Sequence, residues 1–473
     1  MKPGLAGGAP GGGAGRSAES ARGAGSSRRG VLTRGAALGG LGAAACARGD
    51  PGAAGAPEAA RPAGQPVKLT FFSPASDPTG DGIMRDQTTR FNAAHKDIQI
   101  DYVLTATDDN YKNYTTAMVS GAAPDVIMTY DFMPVPQWQA KGLIRDLERY
   151  RAEMKIRPDD YLANVWQMIT FNGKLFGFLQ EFDAYLLGIN DESVARAGLD
   201  PKKPPRTLDE LDDWNARLTK KEGSTLTQIG ILPWRHRGFD LWAQLSGGGY
   251  WDAATGRFTI NTRENVAGLA WMARTARIYG GYDAAEAFHA AESVTTRPSF
   301  YNSRSALTRV GEWDPANNYS KEQPGFKYTI AFWPTAPGVP YGTGETAGGN
   351  TFVLPAEAPH PGEAAVAMRH FAGPEMVWDW NVRENNLPPV KAVATDPKFR
   401  EAVPLMGPWL DMLKVDKMKP VVASPLIATF TTRRTEWGTR ALKGETSPQQ
   451  ALDELQREMD VQVKQYETTK TLP

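Results

Sequence analysis

The side chains best suited to catalysis or metal binding are sparse in this sequence and form no familiar arrangement. Its five histidines include no HExxH pair and Cys46 is the only cysteine, so a His/Cys metal site is not expected. The phosphate loop GxxxxGK[ST] and the nucleophile elbow GxSxG are both missing. Carboxylates are abundant, and a glycosidase-type acid pair stays open because no spacing singles one out. We expect neither a metal nor a cofactor.

A glycine-rich stretch from Gly342 to Ala347 fits the pattern GxGxx[GA] of dinucleotide-binding turns. That motif needs a strand before it and a helix after it. Here Gly348-Gly349-Asn350 and a further strand candidate follow instead. We interpret the stretch as a flexible connector with the hinge character of glycine, and not as a nucleotide loop.

Some residues suit the capture of a solute better than they suit catalysis. Asp131 follows the strand candidate Val126–Met128, and α/β sheets bind ligands in the loops after the carboxyl ends of strands. The alternative for Asp131 is a turn or a helix cap. Trp234 is a weaker candidate, because Arg235 and Arg237 beside it could equally hold it on the surface through cation–π contact.

Alternating and helical patterns predict the elements that position these residues. Val67, Leu69 and Phe71 alternate with other residues as in a strand, and Ile98–Leu104 is a second strand candidate. Thr207 and Glu210 form a capping box that opens a helix, and the last helix begins after Ser447. Strands alternating with helices indicate an α/β protein with a largely parallel sheet.

The N-terminal region has the composition of an export signal. Arg28-Arg29 resembles a twin-arginine signal, and a short apolar stretch leads to Cys46 in a segment that resembles a bacterial lipobox. We predict a signal peptide over residues 1–45, acylation of Cys46 and a flexible tether over 46–66. The alternative is a disordered leader with a chance arginine pair.

The rest of the chain has the composition of a soluble protein. No apolar run approaches the roughly 20 residues of a transmembrane helix. After residue 46 the chain contains 47 Lys and Arg residues and 52 Asp and Glu residues. This mildly acidic balance lacks the excess of positive charge that is typical of nucleic-acid binding.

Several ordered blocks make the chain similar to a known family. Together they resemble the extracellular solute-binding proteins of carbohydrate ABC importers, the group that includes maltose-binding protein. The similarity extends from Val67 to the C-terminus and rests on the order of the blocks Phe91–His95, Ser120–Ile127, Ala140–Leu147, Asn172–Gly177, Gly188–Asn190, Pro205–Glu210, Gly311–Trp313, Leu387–Pro388 and Ser447–Leu452.

The resemblance implies two interleaved α/β lobes, with ligand bound in the cleft between them. By this resemblance lobe 1 comprises residues 67–182 and 343–388, and lobe 2 comprises 183–342 and 389–473. The chain would cross between the lobes near Asp183, near 342–348 and near 387–391. Gln180 stands where the family commonly has proline, which leaves the loop path at the first crossing open.

The resemblance also implies site residues. Trp313 matches a position where an aromatic ring often stacks on sugar, and Asp183 one where a carboxylate often binds ligand. The alternatives are a core tryptophan for Trp313 and a turn or cap for Asp183. Tyr130, Asn350 and Phe430 are weaker candidates.

The predicted function is that of a binding protein without catalysis. It would capture a sugar or another small polar solute and deliver it to an ABC permease, as a monomer held on the outer face of the cell membrane by its lipid. Two alternatives stay open, namely a secreted carbohydrate-active enzyme of the glycosidase type and a lipid-anchored module that binds peptide or another polar solute.

Overall fold

Two five-stranded β-sheets organise the described part of the chain, and three two-stranded sheets accompany them. The computed structural model describes residues 65–74, 78–105, 110–130, 132–235, 238–252, 254–293, 299–415, 417–419 and 421–469. The predicted signal peptide, the acylated Cys46 and the candidate Asp131 lie outside the described residues.

The strands and helices alternate along the chain, as the sequence patterns predict. The strands are β1 Val67–Pro74, β2 Ile98–Thr105, β3 Val126–Thr129, β4 Thr170–Phe171, β5 Lys174–Leu175, β6 Gly177–Leu179, β7 Asp183–Asn190, β8 Lys220–Glu222, β9 Thr225–Gln228, β10 Trp251–Asp252, β11 Arg257–Phe258, β12 Leu307–Gly311, β13 Tyr328–Ala331, β14 Gly344–Gly348, β15 Thr351–Val353 and β16 Met418–Lys419. The pairs β4-β5, β8-β9 and β10-β11 form the three two-stranded sheets.

The α-helices cover the two sheets. They are α1 Pro78–Ala94, α2 Asn110–Val119, α3 Pro134–Ala140, α4 Glu148–Met154, α5 Ala163–Ile169, α6 Asp191–Arg196, α7 Leu208–Leu218, α8 Gly238–Leu245, α9 Arg263–Ile278, α10 Tyr282–Ser293, α11 Ser320–Glu322, α12 Pro361–Phe371, α13 Pro374–Glu384, α14 Lys391–Ala394, α15 Pro397–Ala402, α16 Gly407–Val415, α17 Ile427–Lys443 and α18 Pro448–Thr469. Within the described ranges, no helix has the length and apolar character needed to span a membrane.

The first sheet has the strand order β2-β1-β3-β15-β6. Strand β1 runs parallel to β2 and β3, and β15 is antiparallel to β3 and β6. Val67, Leu69 and Phe71 are buried on one face of β1, which confirms the strand predicted from their alternation.

The second sheet has the strand order β12-β7-β14-β16, with β13 also paired to β7. Its register places Gly311, Tyr185, Glu345 and Lys419 in one row across the four strands. Strand β7 therefore lies inside the sheet, with β12 on one side and β14 and β13 on the other.

Local signals predict the helix ends well. At the start of α7, Glu210 N donates to Thr207 Oγ1 and Thr207 N donates to Glu210 Oε2, both over 3.2 Å. The predicted capping box is confirmed, and the apolar face behind it is buried at Leu211 and Trp214.

Two hydrophobic clusters form the core, and the first also includes apolar residues of β7 and β12 from the second sheet. Phe71, Phe352 and Phe371 pack together beside the first sheet, whereas Trp242 lies against both Trp271 and Trp333 beside the second. The protein is therefore a two-lobed α/β structure, as predicted. Apolar residues of α15 and α16 join the first cluster although their segment falls in predicted lobe 2, and the lobe boundaries stay a prediction.

The chain passes between the two sheets three times. The first two passages, Gln180–Phe182 and Gly349–Asn350, are adjacent, and the third lies between β15 and β16. Gln180 N donates to Asn350 O over 2.9 Å, which ties the two crossings together. Gly349 has φ +150°, and a Cβ there would lie 2.2 Å from Glu181 O, so the close approach requires glycine. Phe182 also pairs with Leu387, beside the third predicted crossing.

The glycine-rich stretch differs from the expectation of a flexible connector. Gly344 to Gly348 form strand β14, which pairs with β7 and β16 of the second sheet. The chain passes to the first sheet at Gly349–Asn350, directly after the predicted crossing region 342–348. Cross-strand pairing on both sides organises this stretch, and a local glycine pattern does not reveal such partners.

Candidate functional site

One end of the second sheet gathers the candidate residues of that lobe. Beyond the row that contains Gly311 and Tyr185, the next positions toward this end are Asp183 on β7 and Trp313 after β12. The segment that follows β16 from residue 421 leaves at the same end, because β16 runs parallel to β14. The crossings at Gln180–Phe182 and Gly349–Asn350 also lie at this end.

One end of the first sheet also lies beside these crossings. Thr351, at the start of β15, pairs with Thr129 at the end of β3 and with Leu179 at the end of β6. The segment after β3 therefore emerges beside the crossings, at the carboxyl end of a parallel strand, where α/β sheets bind ligands. Tyr130 is half-buried in this segment.

A cavity of about 130 Å³ lies near these sheet ends and is lined by residues of both lobes. Phe132 and Met133 line it from the segment after β3, and all the other lining residues come from the second half of the chain. Met133 packs against the hydrophobic cluster of the second sheet, so this wall already bridges the lobes. The remaining lining residues are Asp240, Gln244, Gly248, Gly249, Tyr250, Trp251, Lys419, Val421, Val422, Ile427, Thr431 and Arg434.

Polar groups at the cavity lack part of their hydrogen bonding. Arg434 is 4% exposed and forms an ion pair with Asp240. Within the described ranges, Arg434 Nε, Asp240 Oδ1 and Gln244 Oε1 are buried without a hydrogen-bond partner. Buried polar atoms are normally satisfied, so these three can bind a polar ligand or water at the cavity.

Trp313 forms an aromatic surface at the other side of the same sheet end. It is half-buried and meets Tyr185 edge to face, with ring centroids 5.6 Å apart and an angle of 81°. The guanidinium of Arg309 lies 3.3 Å from the centre of the Tyr185 ring. The indole covers Gly311, where a Cβ would come within 2.6 Å of the ring. These contacts fix the orientation of the indole.

Three carboxylates meet beside this aromatic pair. Glu181, Asp183 and Glu312 place one oxygen each within 4.8 Å of one another. Glu181 and Glu312 are buried and Asp183 is half-buried. Burial, followed by the charge of Asp183, holds the pKa of both glutamates well above the usual range.

Backbone amides anchor the two buried glutamates. Glu181 Oε1 accepts from Asn350 N over 2.6 Å, and Glu312 Oε2 accepts from Ala184 N over 3.2 Å. The carboxylates are therefore held by the crossings themselves and by the first residues of β7.

The structure brings together only some of the predicted site residues. Asp183 and Trp313 lie in one neighbourhood, and Asn350 is tied to it through Glu181. Trp234 is buried in the second cluster, where its Nε1 donates to Glu286 Oε1 over 2.8 Å. Phe430 is fully buried.

The burial of Phe430 and Trp234 leaves them little surface for a ligand. Phe430 packs against Tyr250 and Phe258 beneath the cavity and is not one of its lining residues. Neither Phe430 nor Trp234 lines the cavity. Their large apolar areas are used in the core of the lobe.

Sequence reasoning missed Tyr185, Glu181 and the cavity residues of the second lobe. The alternation of β7 offers one usable signal, because Asp183 and Tyr185 share a face two residues apart. Tyr250 and Trp251 follow a run of glycines without any local signal that separates a cavity wall from a core.

The match to a protein-family model decides the family. Residues 75–378, more than half of the chain, match the model of the bacterial extracellular solute-binding proteins. The chain belongs to this family. The resemblance predicted from the ordered sequence blocks is thereby confirmed, and the protein is an exported solute-binding protein.

Solved structures share the fold of this solute-binding protein. CpMnBP1 with mannotriose bound is 23% identical, with a TM-score of 0.71 over 83% of this chain and 99% of its own. A cyclic α-maltosyl-1,6-maltose binding protein from Arthrobacter globiformis is 21% identical, with a TM-score of 0.67 over 84% and 98%.

A third structure extends the same pattern. The sugar-binding protein MalE from Xanthomonas citri is 18% identical, with a TM-score of 0.68 over 83% of this chain and 96% of its own. Comparison with curated protein sequences gave no match. The three solved structures align with this chain over nearly their whole length, which supports the two-lobed fold.

Proposed function

We propose that this solute-binding protein captures an oligosaccharide in the cleft between its sheets and delivers it to the permease of an ABC importer. The observation that carries the proposal is the cavity in which unpartnered polar atoms of Asp240, Gln244 and Arg434 lie near the half-buried ring of Trp251. Sugars offer hydroxyl groups to the former and C–H faces to the latter. The matched solved structures include proteins with sugars bound.

The dimensions of the sheet end favour a ligand longer than one sugar ring. Trp313 follows β12 at one edge of the second sheet, and the cavity adjoins β16 at the other. The order β12-β7-β14-β16 contains three interstrand spacings, which span roughly 14 Å. Asp183 on β7 lies between the two edges. Its carboxylate can accept a hydrogen bond from a hydroxyl group in the middle of such an oligosaccharide.

The geometry favours binding over glycosidic cleavage. A glycosidase needs two carboxyl groups on either side of the scissile bond. Glu181 and Glu312 are 3% and 1% exposed, so a glycosidic bond cannot reach between them in this conformation. Asp183 is the member of the cluster that a ligand in the cleft can contact.

A ligand screen by thermal shift and calorimetry tests this function. We expect linear or cyclic oligosaccharides to raise the melting temperature selectively over amino acids, peptides and polyols, and to be recovered intact after long incubation. Selective stabilisation by peptides would contradict the carbohydrate assignment, and the appearance of shortened sugars would contradict the absence of catalysis.

A variant of the cavity checks the location. Gln244→Met keeps the length of the side chain and removes its polar atoms, and we expect it to weaken oligosaccharide binding by about 0.5–1.5 kcal/mol. Gln465→Met is the matched control, because Gln465 is exposed on α18. Equal affinities of the two variants would place the ligand outside the cavity.

We also propose that Cys46 is acylated and holds the protein at the outer face of the cell membrane. The support is the arginine pair Arg28-Arg29, the short apolar stretch and the single cysteine of the chain. Cys46→Ser should move the protein from the membrane fraction to the soluble fraction. Unchanged membrane retention of the variant would overturn the anchor.

A further inference from the structure

We propose that Glu181, Asp183 and Glu312 bind a divalent hard cation, with Ca²⁺ as the best fit, at the point where the chain crosses between the lobes. The three residues place one carboxylate oxygen each within 4.8 Å of one another. Carboxylate oxygens are the ligands that Ca²⁺ and Mg²⁺ prefer. This site goes beyond the binding of a solute and departs from the expectation that the protein holds no metal.

The spacing of the oxygens agrees with a shared Ca²⁺. Its oxygen ligands lie at about 2.3–2.6 Å, so two ligands on opposite sides of the ion are roughly 5 Å apart. All three oxygens fall within that limit. Mg²⁺ draws its ligands closer, at about 2.0–2.1 Å, and usually binds through one or two carboxylates and several waters, so three converging carboxylates suit Ca²⁺ better.

The hydrogen bonding of Glu312 independently points to a missing partner. This side chain is 1% exposed, and its Oε2 accepts from Ala184 N. Its Oε1 is buried with no hydrogen-bond partner in the described part of the chain. A buried acceptor of this kind is costly unless something binds it.

The charge of the cluster points the same way. No ion pair joins Glu181 or Glu312 to a lysine or arginine among the residues that the structure describes. Three carboxylates within 4.8 Å of one another repel each other strongly when they are ionised. A divalent cation would neutralise two charges at once and use the oxygens that lack donors.

The position of the cluster connects the cation to lobe movement. Glu181 lies on the first crossing and accepts from Asn350 N on the second, while Glu312 follows β12 of the second sheet. Lobe closure in two-lobed proteins is absorbed by a few residues of this kind. A cation bound here would link both crossings to one lobe.

The test uses ligand-free protein that has been treated with a chelator and dialysed. We expect added CaCl₂ to raise the melting temperature and to bind with one ion per chain by calorimetry, more strongly than MgCl₂. Glu312→Gln should weaken Ca²⁺ binding by at least about tenfold, because the charge of the ligands sets the affinity. Glu192→Gln, an exposed carboxylate on α6, is the control and should bind Ca²⁺ like the wild type.

The possible results separate the cation from its alternatives. If neither CaCl₂ nor MgCl₂ changes the melting temperature, but lowering the pH raises it, protons alone neutralise the cluster. That result would overturn the cation site. An unchanged Ca²⁺ affinity in Glu312→Gln would overturn it as well. If that variant does not fold, Asp183→Asn serves in its place, with the same expected loss. All measurements are made without sugar, so a failure of the cation site leaves the proposed function standing.

Discussion

Adding one methyl group at Gly311 should displace the proposed aromatic platform without removing it. In Gly311→Ala the new Cβ would lie 2.6 Å from the Trp313 ring, whereas carbon atoms make favourable contact at about 3.5–4.0 Å. The indole must therefore retreat by roughly 0.9 Å or more. The backbone beneath it has less freedom, because Gly311 N donates to Asp314 Oδ2 over 2.9 Å.

The displacement gives an expected loss of affinity. A radial gap of about 0.5–1 Å forfeits a quarter to a half of the dispersion energy of a contact. Removal of the whole ring in Trp313→Ala should cost about 2–4 kcal/mol of binding, as for an aromatic hot spot. Gly311→Ala should then cost about 0.5–2 kcal/mol, which corresponds to a roughly 2- to 30-fold weaker Kd.

A double-mutant cycle provides the assay. Oligosaccharide affinities of the wild type, Gly311→Ala, Trp313→Ala and the double variant are compared by calorimetry, with circular dichroism to check the fold. We expect the effect of Gly311→Ala to disappear once Trp313 has been removed. A loss of the same size in both backgrounds would refute the reasoning, because the glycine would then act on ligand binding independently of the indole.

Two further predictions concern stability. Gly349→Ala should lower the free energy of unfolding by more than about 1 kcal/mol in urea titrations, because the new Cβ would lie 2.2 Å from Glu181 O. Gly362→Ala is the control and should cause no such loss, because no atom lies within 4 Å of its new Cβ. Similar losses in both variants would contradict the close approach at the crossing. Burial lowers the pKa of His370 below 6.5, so the unfolded chain binds a proton more readily and stability should fall as the pH decreases from about 6.5. His370→Gln should flatten that dependence in denaturation at pH 5.0–7.5, and an unchanged slope would exclude His370 as its source.

The sequence by itself determined the features that depend on neighbours along the chain. The alternation of Val67, Leu69 and Phe71 specifies a strand with one buried face, and Thr207 with Glu210 specifies the start of a helix. The order of the family blocks likewise carried the prediction of a two-lobed solute-binding protein. Each of these signals lies within a short stretch or in the order of short stretches, and needs no knowledge of which segments meet.

Only the tertiary structure decided which residues meet at the cleft. Glu181 and Glu312 stand far apart in sequence and come together because β12 pairs with β7 in a particular register. The same pairing sets Trp313 against Tyr185, while packing against Tyr250 and Phe258 takes Phe430 into the core. An aromatic ring or a carboxylate has the same local pattern in a core and in a site. The difference lies in the cross-strand register and in the burial that the folded sheets impose on it.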